Sequence, residues 1–235
     1  EQIPVNLRDV DNQWFGLTIR SRPIFYAKDR VNPSDLSTYE ALTDSRWKKR
    51  ICIRSSSNIY NQSLVASMIE ANGADATLQW AEGLVSNLAR KPAGGDTDQL
   101  RAAASGQCDL AIANTYYFGR LIDSKKPEDR EVVQKLGVFW PNQTDRGAHI
   151  NVSGMGVTRN AKNRAEAIQL LEFMVSEDAQ AYYAEINHEY PVIQGVAPSP
   201  TIASLGEFRS DALNLSTLGV NNRDAVKLMD RAGWQ

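Results

Sequence analysis

Cys108-Asp109-Leu110-Ala111-Ile112-Ala113-Asn114-Thr115-Tyr116-Tyr117 is the stretch on which the reading of this chain turns. An apolar run that ends in polar residues has the pattern of a buried strand reaching the rim of a parallel sheet. In open α/β sheets that rim is where ligands bind. The run therefore delivers two adjacent phenols to a ligand-binding edge. A phenolate is a hard, anionic oxygen donor. Its ordinary pKa of about 10 means that only a strong Lewis acid holds it ionised at neutral pH. A hard trivalent ion such as Fe³⁺ meets that requirement. Tyrosine pairs more often divide between core and surface. Tyr182-Tyr183 is read that way, as packing in a helical pattern with Ile168, Leu171, Phe173, Val175 and Ala179.

Working outward, Arg50-Ile51-Cys52-Ile53 is a second short apolar run. Ser55-Ser56-Ser57-Asn58 then supplies N-caps for a helix to about Asn72, closed by Gly73. Tyr60 falls in its first turn, where the partial positive charge of a helix N-terminus favours a phenolate. If the two runs are neighbouring strands, Tyr60, Tyr116 and Tyr117 converge on one sheet edge. Three phenolates balance Fe³⁺, and a fourth anionic ligand would make nearby arginines favourable. Arg20, on an extended segment, and Arg120, one turn beyond Tyr117, are the candidates. The same arrangement makes a Cys52–Cys108 disulfide feasible, with two buried thiols as the alternative. With only His149 and His188 to join them, the cysteines make no zinc site. Neither histidine belongs to a nucleophile–base–orienter set, and His188-Glu189-Tyr190 reads as a surface loop after a helix.

The remaining pattern is α/β, with parallel pairing expected from the order strand, helix, helix, strand. Trp14–Tyr26 reads as one long strand or two, Ser34–Ala41 as a short helix capped by Ser34, and Ala74–Leu88 and Thr97–Ala104 as helices. Gly94-Gly95-Asp96-Thr97-Asp98 lacks the Lys-Ser/Thr of a phosphate loop, and its acids read as capping groups. Val133–Phe139 leads into an extended segment, and Val152–Val157 is extended. Asn163–Ala184 is one amphipathic helix with an Ile168, Leu171, Val175 face to bury, and Asn221–Ala232 is a terminal helix. The chain has 235 residues, 42% of them apolar, enough for one large or two small domains. Lys plus Arg is 26 against 28 for Asp plus Glu, a balance that argues against nucleic acid as a partner.

Three blocks together resemble the bacterial periplasmic ferric-ion-binding proteins, the substrate-binding components of iron ABC transporters, and in particular their cyanobacterial-type members. They are Arg50–Ser63, Gly94–Gln99 and Cys108–Tyr117, and Gly154-Met155-Gly156-Val157-Thr158, Asn187–Pro191 and Met229–Trp234 extend the likeness to the C-terminus. The resemblance implies a two-lobed, transferrin-like periplasmic binding protein type II fold, with the first lobe incomplete in this chain for want of an N-terminal segment. It implies 1–20 as the remainder of the first lobe and first crossing strand, and 21–150 as the second lobe. On the same reading 151–200 is the second crossing strand and return to the first lobe, and 201–235 a tail on the second. It places metal ligands at Tyr60, Tyr116 and Tyr117, and cations near the iron at Arg20 and Arg120. It implies a monomeric periplasmic protein that is not an enzyme. Such a protein carries Fe³⁺, with a synergistic anion left open, to an ABC permease in the inner membrane. The alternative is the same fold binding a polyamine, sugar or organic anion, stacked on Trp14 or Trp140. An iron-dependent or hydrolytic enzyme would need a positioned base that the chain does not offer.

Overall fold

The computed structural model describes residues 2–235, so that Glu1 lies outside it. Arg22-Pro23 divides the first extended segment into β1 (Phe15–Ser21) and β2 (Ile24–Ala27), because proline has no N–H with which to continue a ladder. After three short 3-10 turns, β3 (Ile51–Cys52) leads into α1 (Ile59–Asn72) and α2 (Ala74–Ser86). Asn58 caps α1 by accepting from the Tyr60 N–H, and Gly73, with φ of 80°, turns the chain directly into α2. Next come α3 (Asp96–Ala104), β4 (Leu110–Ile112), α4 (Thr115–Ile122), α5 (Pro127–Lys135) and β5 (Leu136–Phe139). The chain closes with β6 (Ile150–Met155), α6 (Arg164–Met174), α7 (Glu177–Asn187), β7 (Tyr190–Pro191), α8 (Pro200–Ala203) and α9 (Ser216–Arg231).

Two sheets result. The larger runs β3-β4-β2-β5 and the smaller β6-β1-β7. β3 and β4 are parallel, with Cys52 opposite Ala111, as their crossover helices require. β2 lies antiparallel to both β4 and β5, so the sheet is mixed and not wholly parallel as expected. Arg22-Pro23 separates β2 from β1, and β2 runs against the direction of both its neighbours. Cys52 and Cys108 are bonded, with Cα atoms 5.9 Å apart. Such a bridge contributes about 2–4 kcal/mol by constraining the unfolded chain. In the smaller sheet β1 is antiparallel to β6 on one side and to β7 on the other.

The core is built around the larger sheet. Ile24, Leu110, Ile112, Leu64 and Met68 are sealed from solvent, with α9 packed on α1 and α2. Trp234 follows α9, meets Trp80 edge-on and donates its indole N–H to the Arg54 carbonyl at 3.1 Å.

Several expectations need correction. The helix expected at Ser34–Ala41 is instead the separate turns Pro33–Asp35 and Glu40–Thr43, because Asn32, and not Ser34, caps a turn begun by Pro33. The single helix expected over Asn163–Ala184 is broken, since the Ser176 hydroxyl accepts from the Ala179 N–H and starts α7 anew. No residue of α6 is buried, and Ile168 and Phe173 are 38% and 62% exposed. Tyr182 is 63% exposed and Tyr183 half-buried, so the second tyrosine pair divides between surface and interior. α5 carried no helical expectation, and α9 starts at Ser216, ahead of Asn221.

Candidate metal centre

Asn114, at the end of the β4 run, takes the N-cap position of α4, and the doublet falls in the first turn of this helix. Tyr60 occupies the same place in α1. Because β3 and β4 are parallel neighbours, both helices start from one edge of the sheet. The Tyr116 hydroxyl donates to the Tyr60 hydroxyl at 2.9 Å. The Tyr116 and Tyr117 rings lie 4.3 Å apart. Tyr116 is buried, whereas Tyr60 and Tyr117 are half-buried. Burial pushes the Tyr116 phenol well above the ordinary range, and its hydrogen bonds to Tyr117 and Tyr60 push it further. Without a cation, Tyr116 is therefore a neutral donor.

The arginines are placed differently. Arg120 lies over the doublet, its guanidinium carbon 5.0 Å from the Tyr116 ring centre and 5.8 Å from that of Tyr117. Arg20 turns to the neighbouring strands, donating to Ser153 Oγ at 2.5 Å and lying 3.8 Å from the Glu189 carboxylate. Glu189 also accepts from the Thr18 hydroxyl. His188-Glu189-Tyr190 is thus not a surface loop. His188 ends α7 in the left-handed region, Glu189 binds β1 side chains, and Tyr190 pairs with Ile19. A Cβ on Gly119 of α4 would stand 2.9 Å from His188 Cβ, so only glycine admits this approach.

Beneath Tyr60 lies a buried charge network. Arg22 Nη1 donates to Asp96 Oδ2 at 2.8 Å and to Asn114 Oδ1 at 2.9 Å, while Nη2 donates to Asn61 Oδ1 at 2.7 Å. The Asn114 backbone N–H donates to Asp96 Oδ2 at 2.7 Å. Arg22 and Arg54 sit 5.9 and 5.5 Å from the centre of the Tyr60 ring. Sequence reasoning missed this network and assigned Asp96 to capping. Asp98 is the residue that caps, accepting from the Gly95 N–H at 2.7 Å. The available signal was Arg22 itself, a charge between Ser21 and the apolar Ile24-Phe25 run that needs a buried partner.

The other candidates are committed elsewhere. His149 is buried, its Nε2 3.2 Å from Ser63 Oγ, and burial beside Arg22 and Arg146 holds its pKa down at about 3. Trp140 stacks on Phe208 at 4.1 Å. A cavity of about 720 Å³ lies between β1 and α6, with none of the three tyrosines in its lining. Among the described residues no three His, Cys, Asp or Glu side chains gather as a metal site.

Residues 2–203 match the model of the bacterial extracellular solute-binding proteins, and the chain belongs to that family. It is 52% identical to iron uptake protein A1 of Synechocystis over 99% of its own length, and 52% identical to iron uptake protein A2 of the same organism over 100%. It spans 65% and 68% of the lengths of those two relatives. Its fold matches that of a Trichodesmium protein (IdiA, FutA) solved in complex with iron and citrate ligands. The TM-score is 0.98 at 51% identity, covering 100% of this chain and 74% of the other. The chain thus has the α/β fold of the two-lobed type II periplasmic binding proteins.

Proposed function

We propose that this chain binds Fe³⁺ through the phenolates of Tyr60, Tyr116 and Tyr117 in a cleft between lobes, and delivers it from the periplasm to an ABC-type importer. The observation that carries the reading is the 2.9 Å separation of the Tyr60 and Tyr116 oxygens. On a small octahedral ion with metal–oxygen bonds of about 2 Å, adjacent ligand oxygens stand about 2.8 Å apart. The two phenols are therefore spaced as neighbouring ligands before any ion arrives. Loading with Fe³⁺ displaces one proton from each of the three phenols, and the solution takes up those three protons. The names of the Synechocystis and Trichodesmium relatives support iron as the cargo. The citrate in the Trichodesmium complex supports an additional anion in the shell. The Cys52–Cys108 bridge suits an oxidising compartment such as the periplasm.

On this reading the protein is a carrier and not a catalyst. β1 and β6 are the strands that cross between lobes, with 21–150 the second lobe, 151–200 the return to the first, and 201–235 the tail. Trp140 is already stacked within the protein, which leaves the organic-solute alternative without one of its two aromatic platforms.

Titration of the purified chain with ferric citrate tests the proposal. A visible phenolate-to-iron charge-transfer band should grow to saturation. Tyr116→Phe should remove most of that band and weaken iron binding while leaving the fold intact. Equal iron affinity in the wild type, Tyr116→Phe and Tyr117→Phe would overturn the ligand assignment.

A further inference from the structure

The Arg22 side chain makes no hydrogen bond to the oxygen of Tyr60, Tyr116 or Tyr117, yet it is bonded to both helix starts that carry them. Its side chain is 1% exposed and that of Asp96 is 0%. A pair so thoroughly removed from water is a poor source of stability, because desolvation consumes most of the Coulombic gain. What a buried guanidinium supplies is geometry: a flat, rigid fork with donors at fixed angles. Here one arm of the fork ends on Asn61, the residue after Tyr60 in α1. The other ends on Asn114, the N-cap of α4, two residues before Tyr116. Asp96, the first residue of α3, neutralises the fork and also takes the Asn114 backbone N–H. Asn61 in turn donates to the Arg54 and Ser55 carbonyls at 2.8 and 3.1 Å, fixing the loop that enters α1. The opening turns of α1, α3 and α4 thus meet on a single side chain. That side chain follows directly on β1, and its backbone is tied to the segment before β6 by Arg22 N–H donating to the His149 carbonyl at 3.2 Å.

We propose that Arg22, held by Asp96, is the positioning residue of the tyrosine site. It sets the distance between the helix starts that carry Tyr60 and Tyr116, and so the 2.9 Å separation of their oxygens. The proposal rests on the ferric reading above for its metal readouts, but its geometric readout is independent of iron. Lysine at position 22 keeps the charge and loses the fork. A paired Arg22→Met/Asp96→Leu variant removes both charges and keeps an apolar filling of similar bulk.

The experiment compares wild type, Arg22→Lys and Arg22→Met/Asp96→Leu by urea unfolding, by crystal structures without metal, and by ferric citrate titration. The paired variant also takes from Arg54 its Asp96 partner, 3.5 Å away, so urea unfolding first establishes that both variants fold. In both variants the Tyr60–Tyr116 oxygen separation should lengthen, the charge-transfer band should move, and Fe³⁺ affinity should fall about 10–100-fold. An unchanged oxygen separation in a folded variant would overturn the proposal, as would wild-type affinity and band in the paired variant. Absence of any band in the wild type, with the separation lengthened in the variants, would overturn the ferric reading and leave the positioning role standing.

Discussion

α4 and α6 look alike in sequence and end up in opposite circumstances. Each follows an extended segment and carries apolar residues at helical spacing. α4 is packed against α3, α5, α8 and β1, and buries Thr115, Tyr116, Phe118, Gly119 and Leu121. Phe118 meets Phe25 of the central sheet at 4.9 Å. α6 packs on α7, borders the cavity beside β1, and buries none of its residues. In this chain the face of α4 is covered on several sides, whereas that of α6 borders the cavity. Tyr116 and Tyr117 sit on the covered helix, whose first turn is held from several sides. A ligand geometry accurate to a few tenths of an ångström requires such a support.

The widest separation between the two regions should appear in their leucines. Leu110→Ala, in β4, should cost about 2–5 kcal/mol, because the sealed core collapses only in part around the void. Leu170→Ala, on the exposed side of α6, should stay within about 0.5 kcal/mol. Urea midpoints at constant slope measure both. Equal losses would break the comparison by showing that α6 carries core energy that its exposure hides.

The same contrast explains what could be read from the residues alone. The convergence of Tyr60, Tyr116 and Tyr117 was legible because two local signals agreed. Ser55–Asn58 announced a helix start, and the Cys108–Thr115 run announced a strand ending beside it. The cysteine pair was legible for the same reason, as Cys52 sits in β3 and Cys108 just before β4. The Arg22–Asp96 network was not, because its members come from four separate segments and no spacing rule joins residues 22, 61, 96 and 114. The break at Ser176 was hidden by an apolar pattern that continues in phase across it, while a local hydroxyl–backbone bond decides the matter. His188 to Tyr190 misled because polar residues after a helix ordinarily face solvent, whereas here β1 supplies their partners.

A smaller effect sharpens the boundary between the two regions. His149 stands just before β6 and reaches Ser63 of α1. Its folded pKa is lowered to about 3, by burial first and then by Arg22 and Arg146. The unfolded chain takes up this proton below about 6.5, and the folded chain does not until about 3. Stability therefore falls with acidification across that window, by about 1.4 kcal/mol per pH unit from this one group, and the group contributes no pH dependence above it. His149→Gln should remove that slope while keeping a polar partner for Ser63. The difference in unfolding free energy between wild type and variant, followed from pH 7 to pH 5, isolates it. A difference that does not change with pH would mean that the histidine takes its proton without leaving the core.

The central claim is that phenolate oxygens from the two helix starts hold the ion. Resonance Raman spectroscopy of the ferric-loaded protein, excited within its visible band, tests it most directly, because only vibrations of groups bonded to the absorbing metal are enhanced. The account predicts strong tyrosinate ring modes that diminish in Tyr60→Phe, Tyr116→Phe and Tyr117→Phe. Bound iron with no enhanced tyrosinate modes in the wild type would contradict it.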